Sequence, residues 1–413
     1  MINLKGNNIA SVHQENRSKI LQAFFLHAPI SRIEIAKLTS LTPPTITSCV
    51  NTLMSTGLIK EYEQPRAKNN PVLGRKRILL DIVKDAGYAI GVDWGPNGII
   101  CSATDLRGNV IDIEKSANKK WEIESTVDKT SEMIKQLIKK NRLSRKKIIG
   151  IGVGIPGFVE IESGLVCFSS AYGWIDAPIG KMLESATGLP VCIENDVRVM
   201  AIKEMLFSSW ETRATGMTGN FLYVYVGEGI ACAVVHNNEL FRGNNFGAGE
   251  IGHTIVSWDG PKCRCGKKGC LEAVASEIAI KKQAAKVLSV NSSPKKASII
   301  LKKEINNPNL PTIGEILSAY DKENKTVISI LDQGIKYLGA SIANVIGLIN
   351  PRLVLIDGQI FSRPALSSKL LKTVKEHTLA FSNKEIEFEF KKYDINRCSL
   401  GSAACAIRYF LIK

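Results

Sequence analysis

Residues 249–272 read GEIGHTIVSWDGPKCRCGKKGCLE, and this stretch carries the strongest single motif of the chain. Three thiolates and one imidazole can form a closed tetrahedral set, which is the ligand set of a structural zinc site. Glycines between the cysteines permit the tight turns that bring such ligands together. The stretch therefore predicts one structural zinc ion per chain, with unligated thiols as the alternative. The predicted ligands are His253, Cys263, Cys265 and Cys270.

The rest of the chain indicates a reducing compartment. Its 413 residues include ten cysteines, no apolar run long enough to cross a membrane and no apolar leader at the start. These features predict a cytoplasmic protein with reduced thiols and no membrane partner. We expect the cysteines outside the motif to be core residues. They are Cys49, Cys101, Cys167, Cys192, Cys232, Cys398 and Cys405.

Length, composition and charge indicate how many domains the chain forms and what kind of partner it has. With 45% hydrophobic and 23% charged residues, a chain of this length is expected to fold into two or three domains. The net charge is +15, and residues 1–85 hold twelve basic against six acidic residues. Because many soluble proteins are basic, this excess alone is weak evidence for a polyanionic partner.

The N-terminal segment begins with two predicted helices. An apolar stripe at helical spacing, residues 20–25, predicts the first of them. Ser31 and Glu34 have the spacing of a capping box, in which a hydroxyl and a carboxylate satisfy free backbone amides at a helix start. We therefore expect a short second helix to follow, with Ile35 and Leu38 facing inward.

A third predicted helix starts at Pro43, where a missing amide hydrogen does no harm. One of its faces is apolar, and the other carries small polar groups suited to phosphates and base edges. Helix, short helix, tight turn and polar third helix make the helix-turn-helix pattern, whose last helix enters the major groove. The predicted DNA contacts of these helices are Ser31, Pro44, Thr45, Thr47, Ser48 and Asn51.

Two predicted strands, residues 58–62 and 77–81, flank a polar loop that follows the third helix. Such a hairpin is a wing, and its basic residues Arg75 and Lys76 can reach phosphates or a narrow minor groove. The pattern predicts a winged helix-turn-helix DNA-binding domain over residues 1–84. A small helical interaction domain with a solvated outer face is the alternative.

From residue 85 the pattern changes to alternating strands and helices. Residues 88–95 form an apolar strand that ends in Asp-x-Gly, which alone also fits an ordinary hairpin. The strand–turn–strand opening and the alternation after it suit an α/β fold of the actin-like (ribonuclease H-like) type. We expect two lobes. They are residues 85–195 with a C-terminal helix at 396–413, and residues 196–395 with the zinc site.

Polar groups mark a second candidate site. Asn195 and Asp196 end a predicted strand, where a carboxylate can take a proton from a substrate hydroxyl. A helix N-cap by either residue fits equally well. Glu250, His253 and Glu272 carry groups that pair well with sugar hydroxyls.

These motifs together resemble the ROK family (repressors, open reading frames and sugar kinases) from about residue 12 to the C-terminus. The resemblance rests on Glu194-Asn195-Asp196, on GEIGH at 249–253 and on CxCGxxGCLE at 263–272. It implies a two-lobed sugar-kinase-type module, with Asp196 at the position of the kinases' base. His253 would ligate zinc through one nitrogen and face the sugar through the other. The implied sugar-binding residues are Asn195, Asp196, Glu250, His253 and Glu272.

Several departures from the kinases in the family bear on activity. The first phosphate loop reads DWGPN at 93–97, where Pro96 lacks an amide donor, and the second reads GEGIAC at 227–232. Glu228 would repel each phosphate charge by about 4 kcal/mol at ~4 Å and an effective dielectric near 20, and bulky residues follow it. These departures predict no ATP binding and a vestigial Asp196. Residues 171–174, AYGW, replace an Asn-bearing loop of the kinases, which alters the pocket.

The predicted function is a DNA-binding transcriptional repressor of carbohydrate-utilisation genes, with an operator affinity modulated by a monosaccharide. The N-terminal domain implies the repressor branch of the family, similar to the xylose repressors of Gram-positive bacteria. Xylose is accordingly the first candidate effector, before glucose and N-acetylglucosamine. A homodimer or homotetramer is expected because paired recognition helices read a palindrome. The alternatives are an active ATP-dependent sugar kinase with a DNA-binding appendage and a regulator whose helical domain binds a protein.

Overall fold

The computed structural model describes residues 9–62, 78–95, 98–118, 121–207, 219–290, 310–380 and 385–413. The chain divides into two compact units, residues 1–218 with 396–413 and residues 219–395. The boundary expected after residue 195 falls inside the first unit, because the helix that begins at Asp196 packs on the C-terminal helix.

The N-terminal domain has three helices and a small antiparallel sheet, as the sequence predicted. The strands lie in the order β1-β3-β2, and β2 with β3 forms the base of the wing. The predicted wing loop with Arg75 and Lys76 falls in residues 63–77, which lie outside the described residues. The elements are α1 Ile9–His27, β1 Ile30–Ser31, α2 Arg32–Thr39, α3 Pro43–Ser55, β2 Ile59–Tyr62 and β3 Leu79–Ile82.

Helix α2 starts at the predicted capping box. Glu34 N donates to Ser31 Oγ at 3.3 Å, and Ser31 N donates to the Glu34 carboxylate at 2.9 Å. Ile35 is fully buried as expected, but Leu38 is 54% exposed, so the prediction for Leu38 was wrong. The reason is that the inward face of α2 carries Ile35 and Thr39, whereas Leu38 lies next to this face and is in contact with solvent.

The core of this domain forms between α1 and α3. Helix α3 buries its predicted apolar face, and α1 buries the predicted stripe. These core residues are Ile20, Leu21, Phe24, Phe25, Ile46, Val50 and Leu53. The burial leaves the opposite face of α3 free for solvent.

The remainder of the first unit is built on a five-stranded sheet in the order β11-β7-β4-β5-β6. Strands β4, β5 and β6 are successive antiparallel neighbours, and β7 and β11 run parallel to β4. A small antiparallel sheet, in the order β10-β9-β8, follows β7 in the chain. The strands are β4 Tyr88–Gly95, β5 Gly98–Asp105, β6 Val110–Ser116, β7 Ile148–Ile155, β8 Phe158–Glu160, β9 Leu165–Ser169, β10 Trp174–Ala177 and β11 Val191–Asn195.

Helices complete the first unit. Predicted helices at 125–140 and 197–206 are confirmed, with ends that differ by a residue or two. The predicted C-terminal helix ends earlier than expected and continues as a π-helix over Arg408–Ile412. The helices are α4 Ile123–Lys140, α5 Ile179–Thr187, α6 Asp196–Phe207 and, at the C-terminus, an 11-residue helix Arg397–Ile407.

The C-terminal helix Arg397–Ile407 lies against a glycine-lined part of the sheet. A Cβ atom at Gly91 would lie 1.8 Å from the Ser399 carbonyl oxygen, and one at Gly152 would lie 1.9 Å from the Ser402 carbonyl oxygen. Since no side chain fits at such distances, the alternating glycines of β7 allow the helix backbone to touch the sheet directly.

The second unit contains another five-stranded sheet, in the order β14-β13-β12-β15-β16. Its helices pack on the sheet to form one apolar core. The strands are β12 Phe221–Val226, β13 Ile230–His236, β14 Glu239–Phe241, β15 Leu353–Asp357 and β16 Glu387–Phe390. The helices are α7 Leu271–Ala275, α8 Glu277–Val290, α9 Ile313–Asp321, α10 Lys325–Ile349 and α11 Pro364–His377, and we number the C-terminal helix α12.

Within the described residues, no helix is both long and apolar enough to span a bilayer.

Replacing Gly152 with alanine should destabilise the protein by about 1–3 kcal/mol or more, because the added methyl would collide with the backbone of α12. The matched control is Gly347→Ala, at an exposed position near the end of helix α10, where a Cβ meets nothing within 4 Å. There alanine should be neutral or stabilise by up to about 1 kcal/mol. Urea denaturation of both variants measures the difference, and equal midpoints would contradict the direct backbone contact.

Candidate functional site

The outer face of α3 is the candidate DNA-binding surface. Four predicted contacts are exposed on it, namely Pro44, Thr47, Ser48 and Asn51. Thr45 is half-buried at the edge of this face. Arg32 Nη2 donates to Asn51 Oδ1 at 3.4 Å, so α2 holds a guanidinium group beside the polar face. Sequence reasoning missed Arg32, although a basic residue at the first position of α2 was visible.

Three other predicted DNA contacts differ from these. Ser31 is only 3% exposed, and its hydroxyl bonds to Glu34 within the capping box. Because that hydroxyl is committed to the start of α2, Ser31 acts as a helix cap and not as a surface group. Arg75 and Lys76 lie outside the described residues.

Asn195, at the end of β11, caps helix α6. Its Oδ1 accepts hydrogen bonds from the backbone amides of Val197 at 3.0 Å and Arg198 at 3.2 Å. Its Nδ2 donates to the Gly157 carbonyl oxygen at 3.2 Å. The N-cap alternative for Asn195 is therefore confirmed, and most of its hydrogen-bonding capacity is used inside the protein.

The residues on either side of Asn195 differ in exposure. Glu194 is fully buried and lies 3.4 Å from Arg198, one turn along α6. Asp196 is half-buried and stands at the first position of α6. Of the Glu-Asn-Asp triplet, Asp196 is therefore the carboxylate that a ligand can reach.

Asp93, at the end of β4, lies within electrostatic range of Asp196. Burial raises the pKa of Asp93 to about 7, and the Asp196 carboxylate pushes it in the same direction. A hydrogen bond with the Cys398 thiol and the charge of Arg397 act against this rise. The first unit thus brings the Asp-x-Gly aspartate and the candidate base into one charged cluster beside the start of α12.

An aromatic cluster that the sequence did not predict fills the space near Asp93. The ring of Tyr172 lies 4.5 Å from that of Trp121 and 4.8 Å from that of Trp174. Trp94 packs edge-on against Trp174 at 5.6 Å, and the Tyr172 hydroxyl donates to the Trp94 carbonyl oxygen. The AYGW segment therefore braces the Asp-x-Gly strand with aromatic rings. In the sequence, the one sign of this cluster was that AYGW at 171–174 departs from the Asn-bearing loop of the family's kinases.

In the second unit, Glu250 precedes the 3₁₀ turn Ile251–His253 and His253 ends it, and both side chains are half-buried. A Cβ at Gly249 would lie 1.8 Å from the Cys232 carbonyl oxygen, and one at Gly252 would lie 2.1 Å from the Ile230 carbonyl oxygen. The two glycines therefore let this segment lie directly on β13, which fixes where Glu250 and His253 stand.

The four predicted metal ligands converge at one point. One ligand atom from each of His253, Cys263, Cys265 and Cys270 lies within 4.8 Å of the others. Cys263 Sγ is 3.6 Å from His253 Nδ1, and Cys265 Sγ is 3.7 Å from Cys270 Sγ. Sulfur atoms at about 2.3 Å from a tetrahedral zinc ion are about 3.8 Å apart, so the observed spacing fits that ion.

Glu272 lies two residues after Cys270 and is held by Arg264, which stands between two of the cysteines. Arg264 Nε is 2.8 Å from Glu272 Oε1, and Arg264 Nη2 donates to Oε2 at 3.0 Å. Glu272 is 7% exposed and also accepts from Ile230 N at 3.3 Å. The sequence pointed to Glu272 but not to Arg264, because residue spacing does not show which carboxylate an arginine will pair with.

The second phosphate loop, residues 227–229, joins β12 to β13. One amide of the loop and the first amide of β13 have acceptors within the protein, since Gly227 N donates to the Gly229 carbonyl oxygen at 2.9 Å and Ile230 N donates to Glu272 at 3.3 Å. The large side chains that follow Glu228 do not crowd the loop surface as expected. Ile230 and Cys232 are 3% exposed and point into the core of the second unit. Burial raises the pKa of Glu228 despite the charges of Lys281 and Arg264.

The predicted sugar-binding residues divide between the two units. Asn195 and Asp196 belong to the first unit. Glu250, His253 and Glu272 belong to the second, in which His253 is also a member of the zinc-type cluster. Each unit therefore supplies its own part of the expected set.

Two family profiles match this chain. A winged helix-turn-helix DNA-binding family matches residues 14–60, and the ROK family matches residues 89–408. The chain belongs to the ROK family. The N-terminal DNA-binding domain and the ROK module together account for nearly all of the described residues.

Proteins of similar sequence include both repressors and a sugar kinase. A putative xylose repressor of Caldicellulosiruptor sp. (strain Rt8B.4) is 31% identical over 408 residues, 97% of each chain. The xylose repressor of Bacillus subtilis (strain 168) is 29% identical over 401 residues, again 97% of each chain. The glucokinase of Halalkalibacterium halodurans is 30% identical over 304 residues, covering 71% of this chain and 86% of the enzyme.

Solved structures show the same fold. A ROK family transcriptional regulator described as a homolog of the E. coli MLC protein matches with a TM-score of 0.77 at 24% identity, covering 97% of this chain and 98% of that one. A ROK glucokinase from Streptomyces griseus, in complex with glucose and AMPPNP, matches with a TM-score of 0.63 at 23% identity, covering 77% and 99%. The ROK scaffold thus occurs with and without a DNA-binding domain.

The raised pKa of Asp93 predicts that stability falls as pH rises from about 4 to about 7, so that the protein is less stable at pH 8 than at pH 5. In that range the folded protein binds a proton that the unfolded carboxyl, with its ordinary pKa of 3.8, has already lost. Asp93→Asn should remove this dependence and stabilise the protein at pH 8 by about 1–4 kcal/mol, since one pKa unit is worth about 1.4 kcal/mol. Urea denaturation at both pH values measures it, with exposed Asp128→Asn as the control. A gain that is the same at both pH values would exclude this origin.

Proposed function

We propose that this chain is a transcriptional repressor of carbohydrate-utilisation genes that binds operator DNA and responds to a monosaccharide. The observation that carries the proposal is the exposed polar face of α3 in a chain that continues as a ROK module. The similarity to two xylose repressors extends over 97% of this chain and so includes the DNA-binding domain. Because its proposed partner is operator DNA, we place the protein in the cytoplasm.

The DNA-binding role follows from what α3 exposes. Thr47, Ser48 and Asn51 offer hydroxyl and amide groups to base edges, and wing residues Arg75 and Lys76 supply positive charge for phosphates. A single recognition helix reads a short half-site, so we propose a homodimer or homotetramer that reads a palindromic operator.

The effector site is proposed on Asn195, Asp196, Glu250, His253 and Glu272. Asp196, Glu250 and His253 are half-buried, which leaves part of each side chain within reach of a ligand. Asn195 and Glu272 are nearly buried, so we assign them mainly to holding the site's shape. Xylose is the first candidate sugar because both similar repressors are named for it, and glucose and N-acetylglucosamine come next.

We propose that the protein binds sugar without phosphorylating it. Two amides near the second phosphate loop already have acceptors inside the protein, and Glu228 would oppose phosphate charge. Asp196 would then be a vestigial base. Because the chain is also similar to a glucokinase, an active sugar kinase is the alternative function. A kinase would transfer a phosphoryl group from ATP to the sugar.

We propose that the His253 and cysteine cluster holds one structural zinc ion. The four donors and their spacing fit that ion, and His253 Nδ1 is the nitrogen that faces the sulfurs. A bound ion would tie the 3₁₀ turn that carries Glu250 to the loop that precedes Glu272. His253 Nε2 would remain for a sugar hydroxyl, so the metal would fix the geometry of the sugar site without entering it.

The first unit contains a direct structural route from the strand that carries Asn195 to the DNA-binding domain. Helix α6 follows Asp196 and packs on α12, where the backbone of Val199 meets Gly401 too closely for a side chain. The π-helix after α12 reaches α1, and Arg17 Nη1 donates to the Leu411 carbonyl oxygen at 3.1 Å. We propose that sugar binding alters the DNA-binding domain through this contact.

Cys270→Ala should abolish zinc binding and lower both stability and sugar affinity, because the cluster positions His253 and Glu272. Metal analysis of the purified, reduced protein should give one zinc per chain for the parent and for the control Cys167→Ala, whose thiol lies in the other unit. Zinc-free parent protein with full thermal stability would contradict the structural zinc.

Saturating sugar should change operator affinity by roughly 5–150-fold, which corresponds to a coupling free energy of about 1–3 kcal/mol. Glu250→Ala should remove this response and leave operator affinity without sugar within a few-fold of the parent. Fluorescence anisotropy with labelled operator, with and without sugar, measures both, and exposed Glu376→Ala in the same unit is the control. An operator affinity that is indifferent to every sugar that binds would defeat the proposal.

Two further measurements separate the alternatives. A coupled ATPase assay with a sugar panel tests the kinase, since robust turnover would make the protein an enzyme. Operator binding by the intact chain tests the third possibility, because a regulator that recognises only a protein partner would show no sequence preference on DNA.

A further inference from the structure

We propose that the turn between β5 and β6 transmits the state of the sugar site to strand β3 of the DNA-binding domain. The turn, residues 105–109, carries Arg107, whose guanidinium forms an ion pair with the Asp81 carboxylate on β3. Because β5 and β6 belong to the ROK module, this ion pair joins the module to the DNA-binding domain within the first unit. The inference rests on the proposed function and names a route for its regulation.

The turn is held together by its own hydrogen bonds. Asp105 is 4% exposed, and its Oδ1 accepts from the backbone amides of Arg107 at 2.8 Å and Asn109 at 3.0 Å. Gly108 N donates to the Asp105 carbonyl oxygen at 3.1 Å, and Gly108 has a φ of +78°, a left-handed conformation that favours glycine. Since these bonds fix the turn internally, it moves as one piece and Arg107 moves with it.

One side of the turn packs on the end of helix α6. A Cβ at Gly108 would lie 2.5 Å from the ring of Phe207, so this ring lies directly against the backbone of the turn. Phe207 is the last residue of α6, and Asp196, a proposed sugar-binding residue, is the first. A helix of 12 residues spans about 18 Å. Helix α6 therefore connects the proposed sugar site to the turn.

The other side of the turn is attached to the segment that leaves β3. Leu106 is fully buried, and its amide donates at 3.0 Å to the carbonyl oxygen of Lys84, which follows β3 in the chain. The side chains of Arg107 and Asp81 are 25% and 21% exposed. Charges removed this far from solvent depend on each other more than those of an exposed ion pair do. A movement of Arg107 therefore acts on β3.

Asp81 has a second cationic neighbour. Lys60 lies opposite Asp81 in the antiparallel pairing of β2 with β3, and its side chain is exposed. Side chains directly opposite each other share a face of the sheet, with Cβ atoms about 4.5–5.5 Å apart. If the turn withdraws Arg107, Lys60 can take over the neutralisation of Asp81. The contact between module and β3 thus has two charge-balanced arrangements, and a sugar that favours one position of α6 selects between them.

Strand β3 is where such a movement would affect DNA binding. The predicted wing loop, with Arg75 and Lys76, precedes β3 in the chain. Because wing residues contact phosphates or a narrow minor groove, a shift of β3 would change their fit to DNA without unfolding α3. We therefore assign Arg107 and Asp81 as positioning residues for the wing.

Operator binding by the full chain, with and without saturating xylose, glucose or N-acetylglucosamine, tests the assignment. Arg107→Gln and Asp81→Asn should each reduce the sugar-induced change in operator affinity from roughly 5–150-fold to less than about twofold. Sugar affinity without DNA should stay within a few-fold of the parent, because neither residue belongs to the proposed sugar site. A full sugar response in both variants, whether or not their thermal stability falls, would overturn the proposal.

A double variant and two single variants locate the effect. Arg107→Gln with Asp81→Asn should lose no more of the response than either change alone, since both remove one contact. Glu114→Gln is the matched control, because it breaks an ion pair of Lys140 with β6 at 2.9 Å in the same unit and should leave the response unchanged. Arg17→Gln breaks the contact of α1 with the π-helix. Loss of the response in Arg17→Gln alone would exclude the turn.

Hydrogen exchange of the DNA-free chain provides a readout that needs no operator. A saturating sugar should change the exchange of backbone amides in β3 and in the 3₁₀ turn Lys84–Ala86, and Arg107→Gln should remove this change. Glu114→Gln should retain it. Exchange in β3 that none of the three sugars alters in the parent chain would overturn the proposal.

Failure here and failure of the proposed function give different results. Operator release by a sugar, with unaltered exchange in β3 and a full response in both single variants, would refute the turn and leave the repressor intact. Sugar-dependent exchange in β3 that Arg107→Gln removes, in a chain without any preference for operator DNA, would refute the repressor and leave the turn.

Discussion

The first unit depends on the direct contact of one helix backbone with one sheet. Helix α12 lies so close to β4 and β7 that the positions facing it, Gly91 and Gly152, have no room for a side chain. On its other side α6 meets it at Gly401, where an added Cβ would lie 2.4 Å from the Val199 carbonyl oxygen. A helix held between two surfaces at backbone distance has little freedom to tilt. A displacement of α6 would therefore act on α12 directly, because no side chain separates the two backbones at Gly401.

The same packing connects the strand that carries Asn195 to the DNA-binding domain within the first unit. The π-helix that extends α12 contacts α1, and α1 supplies much of the core on which α3 packs. The strand that carries Asn195 and the helix that exposes Asn51 are thus attached to the same structural element. A ligand can shift the balance between two conformations of this unit only by binding one of them more tightly than the other. Tight contacts between the backbones mean that even a small movement would extend along the whole chain of elements.

Local patterns in the sequence predicted local structure well. The capping box at Ser31, the apolar face of α3 and the zinc-type ligand set follow from spacing along the chain, and the structure has all three. Predictions that depend on distant packing did less well. Leu38 is exposed because of where α2 sits, and the partner of Arg264 depends on how a turn folds back on α7. Spacing shows which groups are near in sequence, but the choice among partners depends on tertiary contacts.

Arg264 illustrates why the partner matters for function. A carboxylate as buried as Glu272 loses most of its hydration, and a bidentate guanidinium is the partner that best offsets that loss. The arginine lies between two cysteines of the ligand cluster, so the loop that would bind the metal also places a positive charge beside Glu272. Any ligand that changes the hold of Arg264 on Glu272 must replace what this ion pair contributes.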